Sequence, residues 1–238
     1  MKKILSVLLI AMMVLSASGQ KAEKEKKEKK EKPKKERIGW KLGGVLPAIS
    51  VDSDLGFQYG ALFSFYNYGN PSVYPEFLDY IYTEASHFTK GSGIFRLMYE
   101  SNHLIKGTHL SIDLSYLPDQ ASHFYGFNGY ESVFNKSWMD DEDSLNYKSR
   151  MFYRYLRNQF RIKTDIQGKL IGDHLKWSAG FAFNNFKVSE VDIDKLNKGK
   201  SNKLPSNAEQ PGLFKLYQDL MLISPNEADG GWVNTLTA

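Results

Sequence analysis

The sequence contains no cysteine. That absence excludes disulfide bridges, zinc sites with cysteine ligands, a cysteine nucleophile and the lipid-modified cysteine of a lipoprotein. Long apolar runs are also missing, because no segment after residue 20 approaches the roughly 18 apolar residues of a membrane-spanning helix. If the chain crosses a membrane after that point, it must do so with strands.

Excess positive charge is confined to the N-terminal region. Residues 21–37 hold nine Lys, one Arg and five Glu, and Lys2 and Lys3 add two more positive charges. Since the whole chain has a net charge of +4, residues 38–238 carry a net −3. The main part of the chain is therefore mildly acidic, and its basic isoelectric point is no argument for a nucleic-acid partner.

The N-terminal region predicts export from the cytoplasm. Residues 1–19 combine two lysines, an apolar run and small residues before Gln20, as in a cleaved secretory signal peptide. An uncleaved anchor is the alternative, although the run is short for spanning a bilayer. Residues 20–38 are rich in Lys and Glu and have little apolar surface to bury, which predicts a disordered or partly helical periplasmic spacer. A tether to anionic headgroups or to the cell wall is the alternative function for this spacer.

Two-residue alternation of apolar and polar side chains dominates the remaining sequence. In the segment 108–117, for example, Leu110, Ile112 and Leu114 alternate with Ser111 and Asp113. Such alternation indicates strands with one apolar and one polar face. We predict strands at 45–52, 57–67, 80–89, 94–101, 108–117, 151–170, 175–190 and from 231 onward.

The fold class predicted for residues 39–238 is all-β, an antiparallel transmembrane β-barrel with about eight strands present. Several predicted strands are longer than the five or six residues usual in soluble sheets, and they match the 9–11 residues that cross a membrane at a tilt. The two long connections, 118–150 and 191–230, fall on one side, which we assign to the cell exterior. Turns 68–79, 102–107 and 171–174 fall on the other side. A soluble β-sandwich would show the same alternation and is the competing fold.

Five apolar residues recur at helical spacing in the second long connection, which predicts a short amphipathic helix there. These residues are Leu213, Leu216, Tyr217, Leu220 and Ile223.

Few residues are candidates for catalysis or for metal binding. No two of the five histidines have the i, i+4 spacing of a helical zinc site. The acidic run 140–143 is interpreted as solvated, with calcium binding as the alternative. His109 and Ser111 share a predicted face, but no nucleophile motif accompanies them, so we predict neither an enzyme nor a cofactor. Arg96, Arg161 and Lys163 are predicted lumen charges, and their expected balancing partners are Glu100, Asp113 and Asp165.

Three segments resemble BamA/TamA-type barrels of the bacterial surface-antigen superfamily. Residues 43–52 and 56–60 (GGVLPAISVD and GFQYG) resemble the opening hairpin of that family and include Gly44, Pro47, Asp52 and Gly56. Residues 124–129 (FYGFNG) resemble a signature that follows an early strand, with Tyr125, Gly126, Asn128 and Gly129. Residues 230–236 (GGWVNTL) resemble the segment that leads into the middle strands.

The resemblance implies an outer-membrane protein that inserts or exports other proteins without a cofactor, by opening the barrel near its first strand at residues 47–52. Its partners would be outer-membrane lipid and client outer-membrane proteins. The sequence departs from the family in having no POTRA domain, no Arg-Gly-Phe motif and no terminal aromatic residue, so we expect the N-terminal half of a larger barrel. A passive porin-like channel or surface antigen is the rival interpretation, and an outer-membrane lipid hydrolase is a third.

Overall fold

The computed structural model describes residues 38–127, 134–172 and 174–238. The predicted signal peptide, all of the predicted spacer except Ile38, and the motif residues Asn128 and Gly129 lie outside these described residues.

The described residues form a single antiparallel sheet of nine strands. The strands are β1 (Trp40–Pro47), β2 (Ser50–Asp52), β3 (Gly56–Asn67), β4 (Asp79–Phe88), β5 (Gly93–Ser101), β6 (Thr108–His123), β7 (Arg154–Ile171), β8 (Leu175–Ser189) and β9 (Gly230–Thr237). Neighbours in the chain pair in order from β3 to β9, and both β1 and β2 pair with β3. The prediction of an all-β antiparallel fold is confirmed. β1 and β9 are the two ends of the strand order, so the described strands form an open sheet.

The first predicted strand, 45–52, is wrong as a single element, because β1 and β2 divide it. Pro47 has no N–H group, and proline interrupts the hydrogen bonding of a sheet ladder. The chain breaks its ladder with β3 after Pro47 and resumes it at Ser50. Between the two strands, Ala48 N still donates a hydrogen bond to Gly60 O at 3.0 Å.

Several apolar-face side chains are exposed, and two polar-face side chains near the middle of the sheet are buried. Leu97, Tyr116 and Phe181 on the apolar face are 48%, 46% and 43% exposed. On the polar face, by contrast, Asp113 and Ser115 are only 5% and 1% exposed. No helix among the described residues has the length and apolarity needed to span a membrane.

Connections alternate between the two ends of the sheet, as antiparallel pairing requires. The connections 68–78 and 102–107 and the β7–β8 turn share one end, and we call this the short-turn end because it has neither of the two long connections. The connections 53–55, 89–92, 124–153 and 190–229 share the other. The last two contain most of the buried apolar residues, and we call their described parts (124–127, 134–153 and 190–229) the cap.

The cap has two short α-helices, α1 (Ile193–Asn197) and α2 (Leu213–Asp219), and a 3-10 helix at Lys136–Trp138. Asp192 caps α1, because its side chain accepts a hydrogen bond from Lys195 N at 2.9 Å. The predicted helix near Leu213 is confirmed, although it ends at Asp219 and its buried residue is Phe214.

Candidate functional site

The polar face carries a cluster of charges centred on Asp113. Arg96 Nε donates to Asp113 Oδ2 at 2.8 Å, and Arg161 Nη2 donates to the same oxygen at 3.1 Å. Ser115 Oγ donates to the other carboxylate oxygen. We call these four residues the Asp113 cluster. Two guanidinium groups thus share one carboxylate that is almost entirely buried.

Strand register explains why these residues meet. Arg96 lies opposite Ser115, which in turn lies opposite Arg161, so the three side chains form one row across β5, β6 and β7. Asp113 is two residues along β6 on the same face. The sequence prediction placed Arg96, Arg161 and Lys163 on one face with Asp113, and the structure brings all four onto the polar face.

The remaining polar-face charges form a more exposed group. Lys163 Nζ and Asp165 Oδ2 are 2.8 Å apart, with 44% and 27% of these side chains exposed. Glu100, expected as a balancing charge, lies opposite Ser111 and Tyr80 instead of an arginine. Glu84 is the acidic residue directly opposite Arg96 in the register, and it accepts a hydrogen bond from the Tyr82 hydroxyl. Glu84 was missed because the alternation pattern gives the face of a residue but not its neighbour across the strands.

The β1 edge contains the first group of motif residues. The register between β1 and β3 shifts between Leu42 and Gly44, which is a β-bulge at Gly43. All residues of β1 and β2 are exposed. Pro47 ends β1, and Asp52 ends β2, where its carboxylate accepts hydrogen bonds from Asp54 N and Leu55 N at 2.8 and 2.7 Å. The first edge of the sheet is therefore exposed and irregular.

The turn between β2 and β3 requires a glycine at Gly56, the first residue of β3. Its φ of +86° is in the left-handed region, and a side chain there would meet the Thr89 hydroxyl. Thr89 Oγ1 in turn accepts a hydrogen bond from Phe57 N at 3.2 Å. This glycine lets the β2–β3 turn pack against the β4–β5 turn.

Tyr125 and Gly126 belong to the cap. The Tyr125 hydroxyl hydrogen-bonds with His123 Nδ1 at 2.8 Å, and its ring packs against Tyr153 and Phe134. Gly126 has a φ of +88°. The structure thus places the described motif residues in three separate regions, which are the β1 edge, the cap and, for residues 230–236, β9.

The cap reaches from β8 back to the first turn of the sheet. Lys200 Nζ donates to Ser53 O at 2.9 Å and lies 3.4 Å from Asp54 Oδ1. Arg150, from the other long connection, lies 3.7 Å from the same carboxylate oxygen. Asp54 therefore joins three connections at this end of the sheet. The role of Asp54 was not predicted, because Lys200 and Arg150 are close to it in space but distant along the chain.

Apolar packing consolidates the cap. Leu196 is fully buried in a cluster with residues from both long connections and from β6. This cluster comprises Ala121, Met151, Val191, Ile193, Leu196 and Leu204, with Leu55 packed against it. Phe214 of α2 packs against Phe124 and Tyr155, with ring centroids 5.5 and 5.2 Å apart. The long connections are thus a packed substructure.

No cluster of three or more potential metal ligands occurs in the described part of the chain. In the acidic run, Asp141 pairs with Arg150 at 3.1 Å. Hydrogen bonds from the Asn146 side chain lower the pKa of Asp143. His109, the histidine considered for a hydrolase, has its Nδ1 2.7 Å from Asn102 Oδ1.

Glu190, which follows β8, gives the cap a predicted pH dependence. Burial raises its pKa, Lys215 opposes this shift and Asp219 adds to it. The pKa of Glu190 is higher in the folded than in the unfolded state, so folding favours the protonated carboxyl. The contribution of this group to the free energy of unfolding is therefore present at acidic pH and is lost as pH rises through the folded pKa. We expect Glu190→Gln to stabilise the cap at pH 7 and to lose that advantage below about pH 4.5. Thermal unfolding followed by near-ultraviolet circular dichroism measures this, and an equal advantage at both pH values would contradict it.

Comparison with protein-family models, curated proteins and solved structures finds no match.

Proposed function

We propose that the sheet is embedded in the bacterial outer membrane as part of a β-barrel, with its apolar face against lipid and its polar face lining the lumen. The observation that carries this proposal is the exposed apolar face. Soluble monomers rarely expose contiguous apolar patches larger than a few hundred Å². In a lipid bilayer the apolar face contacts hydrocarbon instead of water, which favours apolar side chains. The charges on the polar face then stay away from the hydrocarbon.

A row of aromatic rings on the apolar face supports this placement. Phe57, Tyr59, His87, Phe95 and Tyr116 follow one another across β3 to β6, with successive ring centroids 6.0–6.5 Å apart. Transmembrane barrels carry such girdles where hydrocarbon meets water. The row lies toward the cap end of the sheet, as expected if the cap projects from the membrane. Strand length agrees, because β6, β7 and β8 have 16, 18 and 15 residues.

Within the outer membrane, the proposed activity is protein assembly or translocation. The β1 edge supports this role, because it is one end of the strand order and its ladder with β3 is interrupted by the bulge at Gly43 and the break after Pro47. The rival role, a passive channel or surface antigen, is supported by the packed cap at one end of the sheet. Client outer-membrane proteins are partners only under the first role.

Membrane placement is tested by fractionating the native cells and comparing gel mobility before and after boiling. We expect the protein in the outer-membrane fraction with heat-modifiable mobility, as a folded barrel resists detergent until it is heated. Recovery of the mature chain as a soluble periplasmic protein would overturn the proposal.

The assembly role is tested in lipid vesicles by the folding rate of an added outer-membrane barrel. We expect the protein to accelerate this folding, and Pro47→Val, which allows continuous pairing with β3, to reduce the acceleration. Pro118→Val, at a proline within β6 and away from the edge, is the matched control and should leave the rate unchanged. If the unaltered protein gives no acceleration, the passive role is supported.

A further inference from the structure

Two exposed aromatic rings of the cap meet nearly at a right angle. Tyr125 and Phe134 are 45% and 52% exposed, and their ring planes lie at 80° with the centroids 5.7 Å apart. Both rings also pack against Tyr153, which is only 1% exposed. This packing holds the two rings in place at the surface, so a ligand that contacts them orders few additional side chains.

The direction of the hydrogen bonds beside these rings makes the Tyr125 hydroxyl a donor. Arg154 Nη1 lies 2.8 Å from His123 Nε2, and this nitrogen must accept because arginine can only donate. The proton of the neutral imidazole is therefore on Nδ1, which donates to the Tyr125 oxygen at 2.8 Å. The hydroxyl proton of Tyr125 has no acceptor among the described residues, so it is available to a ligand.

Asn135 supplies a second donor next to Phe134. Its side-chain oxygen accepts a hydrogen bond from Ser137 N at 3.0 Å, and its backbone N–H donates to the Tyr153 hydroxyl at 2.9 Å. These two bonds fix the oxygen and the main chain of Asn135. Its side-chain amide group keeps two N–H donors, which have no acceptor among the residues that the structure describes. We call Tyr125, Phe134 and Asn135 the Tyr125 surface.

We propose that the Tyr125 surface binds a hexose unit of a glycan. A pyranose ring carries apolar C–H bonds on its faces and hydroxyl groups around its rim, so its recognition requires aromatic contact together with hydrogen-bond donors. In a β-galactoside several C–H bonds lie on the same face and pack against an aromatic ring, while rim oxygens accept from Tyr125 and Asn135. A purely apolar ligand would instead remove both donors from water without giving them acceptors, which is costly.

Saturation-transfer NMR of the full chain, folded in detergent, with methyl β-galactoside tests the site. We expect transfer chiefly to the protons on the apolar face of the sugar, because these lie closest to the rings. Tyr125→Phe removes the hydroxyl but keeps the ring, so the dissociation constant should rise about fivefold. Phe134→Ala removes a ring and should abolish the transfer. Tyr74→Phe is the matched control and should change nothing, since Tyr74 is similarly exposed (42%) but lies at the short-turn end.

Two results would overturn the proposal. One is the absence of saturation transfer from the unaltered protein, and the other is an equal dissociation constant for Tyr125→Phe, Tyr74→Phe and the unaltered protein. Tyr125→Phe keeps the ring packed against Tyr153, so it provides the test even if Phe134→Ala does not fold. The site does not depend on the membrane placement. A folded barrel that binds no sugar overturns this site alone, whereas sugar binding by a soluble protein overturns the membrane function alone.

Discussion

Replacing Leu97 by lysine is expected to lower the free energy of unfolding in lipid vesicles by about 2–4 kcal/mol. Leu97 is near the middle of β5 on the apolar face and is 48% exposed. If this face contacts hydrocarbon, the ammonium group must lose its water or distort the bilayer, and either effect is costly. If the face contacts water, the same substitution has little cost. Denaturant unfolding of the vesicle-embedded protein measures the difference.

Leu62→Lys is the matched control for this prediction. Leu62 lies opposite Glu84, which lies opposite Arg96, so it is within one residue of the depth of Leu97 but on the polar face. A lysine there faces a carboxylate and is expected to change stability by less than about 1 kcal/mol. Equal effects of the two substitutions would mean that the two faces meet the same solvent, which contradicts the membrane placement.

Local side-chain pattern was sufficient to predict most of the sheet. Alternation such as Leu110, Ile112 and Leu114 depends only on the two-residue period of a strand, so the sequence reveals it directly. The predicted 175–190 strand became β8, Leu175–Ser189. The end of β6 was predicted too early, at residue 117, because Pro118 and the bulge between Asp119 and Ser122 interrupt the pattern while the strand continues to His123.

The candidate site was predictable only in part, for a physical reason. Alternation predicted that Arg161 and Asp113 share a face, since this follows from position within each strand. Which residues touch depends on the register between strands, and the register depends on turns whose geometry the sequence does not specify. The contact between Asp54 and Lys200 was still harder to predict, because the packing of two long connections brings them together.

The Asp113 cluster gives the second large expected effect. Asp113→Asn removes the single carboxylate shared by Arg96 and Arg161 but keeps the shape of the side chain. Removing one partner of a buried ion pair leaves an uncompensated charge, and such losses reach about 3–5 kcal/mol. Because the two arginine side chains are 35% and 28% exposed, we expect the lower end, about 3 kcal/mol. Denaturant unfolding in lipid vesicles measures this loss.

Asp165→Asn provides the control for Asp113→Asn, since its partner Lys163 is 44% exposed. Water compensates Lys163 when the carboxylate is lost, so the expected cost is below about 1 kcal/mol. In the Asp113→Asn background, adding Arg96→Met removes one of the two uncompensated charges and should restore part of the lost stability. Additive losses would instead mean that Arg96 contributes independently of Asp113, and the cluster would not act as a unit.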